Sequence, residues 1–190
     1  MSARIETWNA RHAEATPGEP AWVLREHAHM LPACGDALDL ACGLGANALL
    51  LAGHGMNVTA WDFSAVAIER LSVEAAARGL SLVAEVRDVV ADPPAPASFD
   101  VIVVSHFLDR ALAPRLIDAL RPGGLLFYQT FTAERPPHGA APSNPAFLLA
   151  PGELLRLFAP LRPVAYREDG LAGDLSEGMR ALAAFVGMKP

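Results

Sequence analysis

Three aspartates, two glycines and a histidine fall along the chain at places where they can do chemistry. Asp39 precedes the turn Ala41-Cys42-Gly43-Leu44-Gly45, Asp62 ends the next apolar run, Asp88 follows the one after, and His106 comes just past the run Phe99 to Val104. Glycines at 43 and 45 let the backbone approach a ligand closely, and the amides that open the following helix face it. The spacing Gly43, Gly45, Ala48 satisfies the dinucleotide fingerprint G-x-G-x-x-G/A, and Asp62 stands near the distance expected for a carboxylate that bonds a ribose. The chemistry of this set is the holding of an adenosine-containing cofactor. The turn alone does not choose between NAD and another such cofactor. His106, whose ordinary pKa lies near neutrality, is the candidate base. Cys42, inside the turn, has no histidine near it in sequence, and packing accounts for it as well as nucleophilic chemistry does.

These residues share one crevice only if strands and helices alternate. Apolar runs at Ala37 to Leu40, Asn57 to Trp61, Leu82 to Val86 and Phe99 to Val104 read as strands, the last continuous enough for a parallel strand covered on both faces. Helices are expected from Asn47 to Ala52, ended by the glycines at 53 and 55, and after Ser64, a capping residue followed by apolar Ala67, Ile68, Leu71 and Ala75. The proline-rich stretch 91–98 is a loop. A helix from Pro114 to Leu120 is stopped by Arg-Pro-Gly-Gly at 121–124 before a strand from Leu125 to Thr130. A second proline-rich loop, Arg135 to Pro145, carries His138 and Asn144 as acceptor-side candidates. A helix from Pro151 to Phe158 and strands at Val164 to Arg167 and Ala183 to Met188 complete the order. Ahead of all this lie a polar segment with Trp8, Arg11 and His12 and a helix from Ala21 to His29. The alternation predicts a helix-covered, mostly parallel sheet that binds ligands beyond the carboxyl ends of its strands.

Composition narrows the function classes. The 190 residues fit one domain and carry a net charge of −6, with fourteen arginines, one lysine (Lys189) and no dense basic cluster, which disfavours nucleic acid as a partner. No apolar stretch is long enough to span a bilayer and the first residues lack the apolar core of a secretory signal, so no membrane role and a cytoplasmic setting are expected. Two cysteines, Cys34 and Cys42, support neither a disulfide framework nor a cysteine-rich metal site. His27 and His29, two apart, make a poor metal pair.

The motifs Asp-Leu-Ala-Cys-Gly-Leu-Gly (39–45), Ala-Trp-Asp-Phe-Ser (60–64), Arg87-Asp88, the run ahead of His106, and Leu-Arg-Pro-Gly-Gly-Leu-Leu-Phe (120–127) together resemble the successive motifs of class I S-adenosylmethionine-dependent methyltransferases, over about Ala33 to Phe131. The compact size and the stretch from Gly45 to Ile68 are similar to the small tellurite-resistance-type subgroup. The resemblance implies a single-domain Rossmann-like α/β fold: a mostly parallel seven-stranded sheet with an antiparallel last strand and helices on both faces. Residues 1–32 would be a helical segment able to cover the site and residues 33–190 the cofactor-binding domain. It implies S-adenosylmethionine as cofactor, with Asp39, Ala41, Cys42, Gly43, Gly45 and Asn47 about the methionine end, Asp62 and Phe63 at the ribose, Asp88 and Val89 at the adenine, and Ser105 by the methyl group. His106 and Arg11 are the candidate catalytic side chains. Phe107, Tyr128 and Phe131 are candidates for the acceptor pocket, and a core role explains them without any further assumption.

Where the family more often has glycine this chain has Ala41, an alanine that is accommodated if the position keeps an ordinary negative φ. The acceptor is expected to be a small molecule such as a chalcogen oxyanion or a thiol, and the protein a monomer or homodimer. The competing readings are an NAD-dependent oxidoreductase on the same crevice, disfavoured because the only lysine is Lys189, and a non-catalytic scaffold of the same fold.

Overall fold

A computed structural model describes residues 2–137 and 141–190, and His138 lies outside the described residues. Seven strands form one sheet: β1 Asp36–Leu40, β2 Asn57–Asp62, β3 Val83–Val86, β4 Phe99–Ser105, β5 Leu120–Phe131, β6 Arg162–Glu168 and β7 Leu182–Met188. Their order across the sheet is β3-β2-β1-β4-β5-β7-β6. β1 pairs in parallel with β2 and β4, β2 with β3, and β4 with β5, while β7 runs antiparallel between β5 and β6. Among the described residues six α-helices flank it: α1 Ser2–Glu14, α2 Trp22–Glu26, α3 Ala46–Gly53, α4 Ala65–Ala77, α5 Ala113–Ala119 and α6 Glu153–Leu157. The chain leaves β1 towards β2 and β3 on one side and reaches β4 on the other, so the connection reverses between β1 and β4, where such sheets bind ligands.

Alternation along the strands divides the interior in two. Ala37, Val58, Ala60, Val101, Val103, Phe127, Ala184 and Val186 face one side, packed by α2, α3 and α4. Leu38, Leu40, Trp61, Ile102, Val104, Tyr128 and Phe185 face the other, packed by α5 and α6. The expected cap of α4 is present: Ser64 Oγ accepts from Ala67 N at 3.3 Å, and Ala67, Ile68, Leu71 and Ala75 are the buried face. No helix among the described residues is long and apolar enough to cross a membrane.

Two expectations need correction. Arg-Pro-Gly-Gly does not separate helix from strand but lies inside β5: Phe99 pairs with Leu120 and Val101 with Leu125, so the extra residues bulge out of register. Gly123, at φ +79, makes that bulge possible, and its N–H reaches Lys189 O at 2.8 Å. Tyr128 belongs to the core and not to an acceptor pocket. It is 2% exposed, its hydroxyl donates to Phe107 O at 2.9 Å, and its ring lies 5.2 Å from that of Phe158.

The short helix α2 has no cap of its own. Its orphan amides are met by side chains from elsewhere: Ala21 N donates to Asn47 Oδ1 at 2.8 Å and Val23 N to Gln129 Oε1 at 3.0 Å. Val23 is fully buried. Replacing Gln129 with leucine strands that amide and is expected to lower the unfolding free energy by about 1–3 kcal/mol, measured by urea denaturation; an unchanged midpoint would show that the pairing contributes nothing.

Candidate functional site: the crevice beyond β1, β2 and β4

Two buried carboxylates brace the glycine turn from adjacent strands. Asp62, 4% exposed at the end of β2, accepts from Gly43 N through one oxygen (2.9 Å) and from Ser64 N through the other (2.8 Å). Each oxygen keeps a lone pair for a ligand. Asp39, 1% exposed in β1, accepts from Ala48 N at 3.0 Å and from Asn47 Nδ2 at 3.3 Å. Neither donor is a cation, and burial pushes the Asp39 carboxyl up to about 7, against the pull of those two donors and with a further push from Asp62. A carboxylate so placed is suited to a cationic ligand group.

The turn between them is tightly wound. Ala41, Gly43 and Gly45 have φ of +56, +53 and +76. A Cβ on Gly45 would meet Leu71 Cδ1 at 2.3 Å, so glycine there serves both the backbone and the packing of α4. The condition of a negative φ at Ala41 is not met: Cys42 N donates to Trp61 O at 2.9 Å, and the preceding residue turns left-handed to deliver it. Burial raises the pKa of the Cys42 thiol well above its ordinary range, with Asp39 and Asp62 adding to the effect, so it is no nucleophile at neutral pH.

Asn47 ties the floor together, its amide group also donating to Ser105 Oγ at 3.0 Å. His106 follows in the left-handed region, φ +54, with its N–H on Gln129 O at 2.9 Å and its ring 5.1 Å from that of Phe131. The residue is exposed, yet desolvation by the surrounding protein lowers the pKa of its ring, and the imidazole is neutral at pH 7. Asp88 is exposed, and its Oδ1 accepts from Val90 N and Ala91 N at 3.1 and 3.3 Å; the neighbouring Val89 is buried.

The N-terminal residues reach the same place. Trp8 meets Phe63 edge-on at 6.3 Å, and His12 stacks on Trp8 with ring centroids 5.5 Å apart. Burial lowers the His12 pKa, Asp62 opposes that shift, and Arg11 and Arg70 reinforce it. Arg11 itself is exposed, its guanidinium 5.0 Å from the Trp8 ring centroid. Gln129 and Arg70 were not singled out in the sequence. Gln129 is a polar residue within an apolar strand, which was the available signal; Arg70, among the polar positions of α4, gave none. A cavity of about 280 Å³ lies between α2 and β6–β7, lined by residues such as Trp22, His27 and Arg167 and by none of the glycine turn. Among the described residues no cluster could hold a metal ion.

A glycine turn braced by two acids at the reversal point of a 3-2-1-4-5-7-6 sheet defines a Rossmann-like α/β fold. Residues 37–124 match the model of a family described as a methyltransferase domain. The structure is similar to that of TehB from Haemophilus influenzae, with a TM-score of 0.72, 22% identity and 92% of this chain covered; the chain spans 64% of TehB's length. It is similar over 98% of its length, at 26% identity and TM-score 0.72, to a protein whose structure was described for the conversion of a disulfide bond into a thioacetal group during echinomycin biosynthesis, 93% of which is covered. A methyltransferase dependent on S-adenosylmethionine, from Methanosarcina mazei, shares the fold at 19% identity and TM-score 0.68, with 90% and 99% of the two chains covered. No curated protein sequence matches the chain.

Two outcomes are expected from this geometry. Alanine in the left-handed region costs about 1–2 kcal/mol, part of which glycine returns through its freer unfolded state, so Ala41→Gly is expected to stabilise the protein by up to about 1 kcal/mol in thermal or denaturant melts. A destabilised variant would contradict the strain. The folded protein keeps the Asp39 proton up to about pH 7, whereas the unfolded chain releases it near 3.8. Between those values the native state binds more protons, so this group's contribution to stability falls as pH rises. Asp39→Asn should therefore gain stability relative to the wild type from pH 4 to pH 7; a constant difference across that range would show that Asp39 is ionised throughout.

Proposed function

We propose that the protein is an S-adenosylmethionine-dependent methyltransferase acting on a small molecule with a soft chalcogen nucleophile, a thiol or a selenium or tellurium compound. Residues 33–190 form the binding domain and residues 1–32 its cover. The observation that carries this reading is the pair of buried acids, Asp39 and Asp62, on either side of the glycine turn. The residues fit the cofactor: Asp39 is a buried carboxylate without a cationic partner, suited to the amino group, and Asp62 has a spare lone pair on each oxygen for the ribose diol. Gly43 and Gly45 let the backbone lie against it, Phe63 and Val89 flank the adenine, and the exposed carboxylate of Asp88 is open to its amino group.

S-adenosylmethionine supplies a methyl group on a sulfonium, which passes to the acceptor by in-line displacement and leaves a neutral thioether. For such a step the protein's part is placement and exclusion of water. Ser105, held by Asn47, and the neighbouring His106 and Phe131 border the acceptor side. His106, neutral at pH 7, takes the proton of a thiol or selenol, and an anionic acceptor needs none. The likeness to TehB and to the protein of echinomycin biosynthesis supports a chalcogen acceptor.

Calorimetric titration with S-adenosylhomocysteine, with NAD in parallel, tests the cofactor. Saturable binding of the former alone is expected, weakened roughly 10- to 100-fold in Asp62→Asn, which loses a charge-assisted acceptor. Binding of NAD alone would make the protein an oxidoreductase, and binding of neither a scaffold. Mass spectrometry of products from a thiol, selenite and tellurite then tests the acceptor class, and failure of all three would overturn it.

A further inference from the structure

The helix α1 lies over the cofactor crevice through a small set of polar and aromatic contacts. Trp8 touches Phe63, Asn9 Oδ1 accepts from Ser64 Oγ at 2.7 Å, and His12 Cε1 stands 3.3 Å from where a Cβ of Gly43 would be. Every one of these partners adjoins Asp62: Phe63 and Ser64 follow it in sequence, and Gly43 donates to it. The helix therefore rests on the segments that hold the cofactor. Beyond it the chain runs through Thr16-Pro17-Gly18-Glu19-Pro20 to Ala21, which is fixed to Asn47. This strap leaves a cleft of about 270 Å³ against α4, lined by Pro17, Leu44, Arg70 and Val73. It does not seal α1 to the body.

What secures the carboxyl end of α1 is one side chain. Arg70 of α4 donates through Nη1 to the carbonyl oxygens of His12, Ala13 (3.3 Å) and Ala15 (2.8 Å). The last carbonyls of a helix lack partners within it, and a cation is favoured there by the helix dipole. Arg70 is in none of the ion pairs of the described residues, so its guanidinium is committed to this helix end.

We infer that Arg70 is a positioning residue that clamps α1 as a roof over the cofactor, acting through His12 and Trp8, and that the used cofactor leaves when this clamp opens. The inference rests on the cofactor assignment above. Its geometry links two events: a cofactor under the roof is held by α1, and α1 is held by Arg70 and by what lies beneath it.

The test compares wild type, Arg70→Lys and Arg70→Ala by stopped-flow release of S-adenosylhomocysteine and by amide hydrogen exchange over residues 5–15. Arg70→Ala is expected to release the ligand about tenfold faster, a change of roughly 1.4 kcal/mol. Arg70→Lys, which places a point charge without the guanidinium's fork, should fall between. Exchange in α1 should rise in Arg70→Ala while β1 and β4 keep their protection, which separates an opened roof from a misfolded chain. In the wild type, ligand should slow α1 exchange. Trp8→Ala removes the roof from its other side and should speed release as well. Should Arg70→Ala misfold, the inference stands or falls on Trp8→Ala release and on the ligand's effect on wild-type α1 exchange. Ligand release at the wild-type rate from both folded variants, or α1 exchange indifferent to ligand in the wild type, would overturn the clamp and leave the cofactor assignment standing. A wild type that binds no S-adenosylhomocysteine would instead remove the cofactor assignment, and the roof would have nothing to retain.

Discussion

The contact on which the site depends is the one between Asp62 and the glycine turn. A left-handed run through Ala41, Gly43 and Gly45 gives up regular backbone pairing, and buried amides without partners are costly. Asp62 reaches across from the neighbouring strand to take Gly43 N, and with its second oxygen it takes Ser64 N at the start of α4. One carboxylate thereby fixes the turn after β1 to the helix after β2. Asp39 does the matching work from within β1, holding the first turn of α3 through Ala48 N. The two acids shape the crevice before any ligand is considered, and the lone pairs they have left are what a ligand meets.

Strand order makes that arrangement possible. With β1 central and β2 and β4 on either side, the chain segments that leave the carboxyl ends of β1 and β4 diverge, and Asn47 spans the gap between Asp39 and Ser105. The same asparagine accepts from Ala21 N, and Gln129 of β5 accepts from Val23 N, so α2 is docked by the polar edge of the sheet and not by its own cap. At the opposite pole Arg121 bridges Asp36 and Asp100 at 2.8 and 2.7 Å and ties β1, β4 and β5 together. Chemistry and fold occupy opposite ends of the strands.

Much of this was legible in the chain. Asp39, Gly43, Gly45 and Asp62 could be placed because each strand announces itself as an apolar run and each of these residues stands at or just past its end. Ser64 and the four buried positions of α4 were legible for the same local reason. What was not legible depends on distant pairing. Arg70 finds its carbonyls 55 to 58 residues away with nothing local to mark it, and Gln129, a polar residue in an apolar strand, finds its amide 106 residues away. Arg-Pro-Gly-Gly reads as a turn by residue preference, but the ladder with β4 and the bond from Gly123 to Lys189 absorb it into a strand. Ala41 misleads because alanine ordinarily avoids the left-handed region that the link from Cys42 to Trp61 imposes here.

The central claim is that this crevice holds S-adenosylmethionine by its amino group and its ribose, on acids from two adjacent strands. A crystal structure with S-adenosylhomocysteine tests it most directly. The account predicts the ribose hydroxyls on the Asp62 carboxylate, the amino group on Asp39 directly or through a water, and α1 closed above them. A ligand bound elsewhere on the surface, or one that leaves both carboxylates without contact, would contradict it.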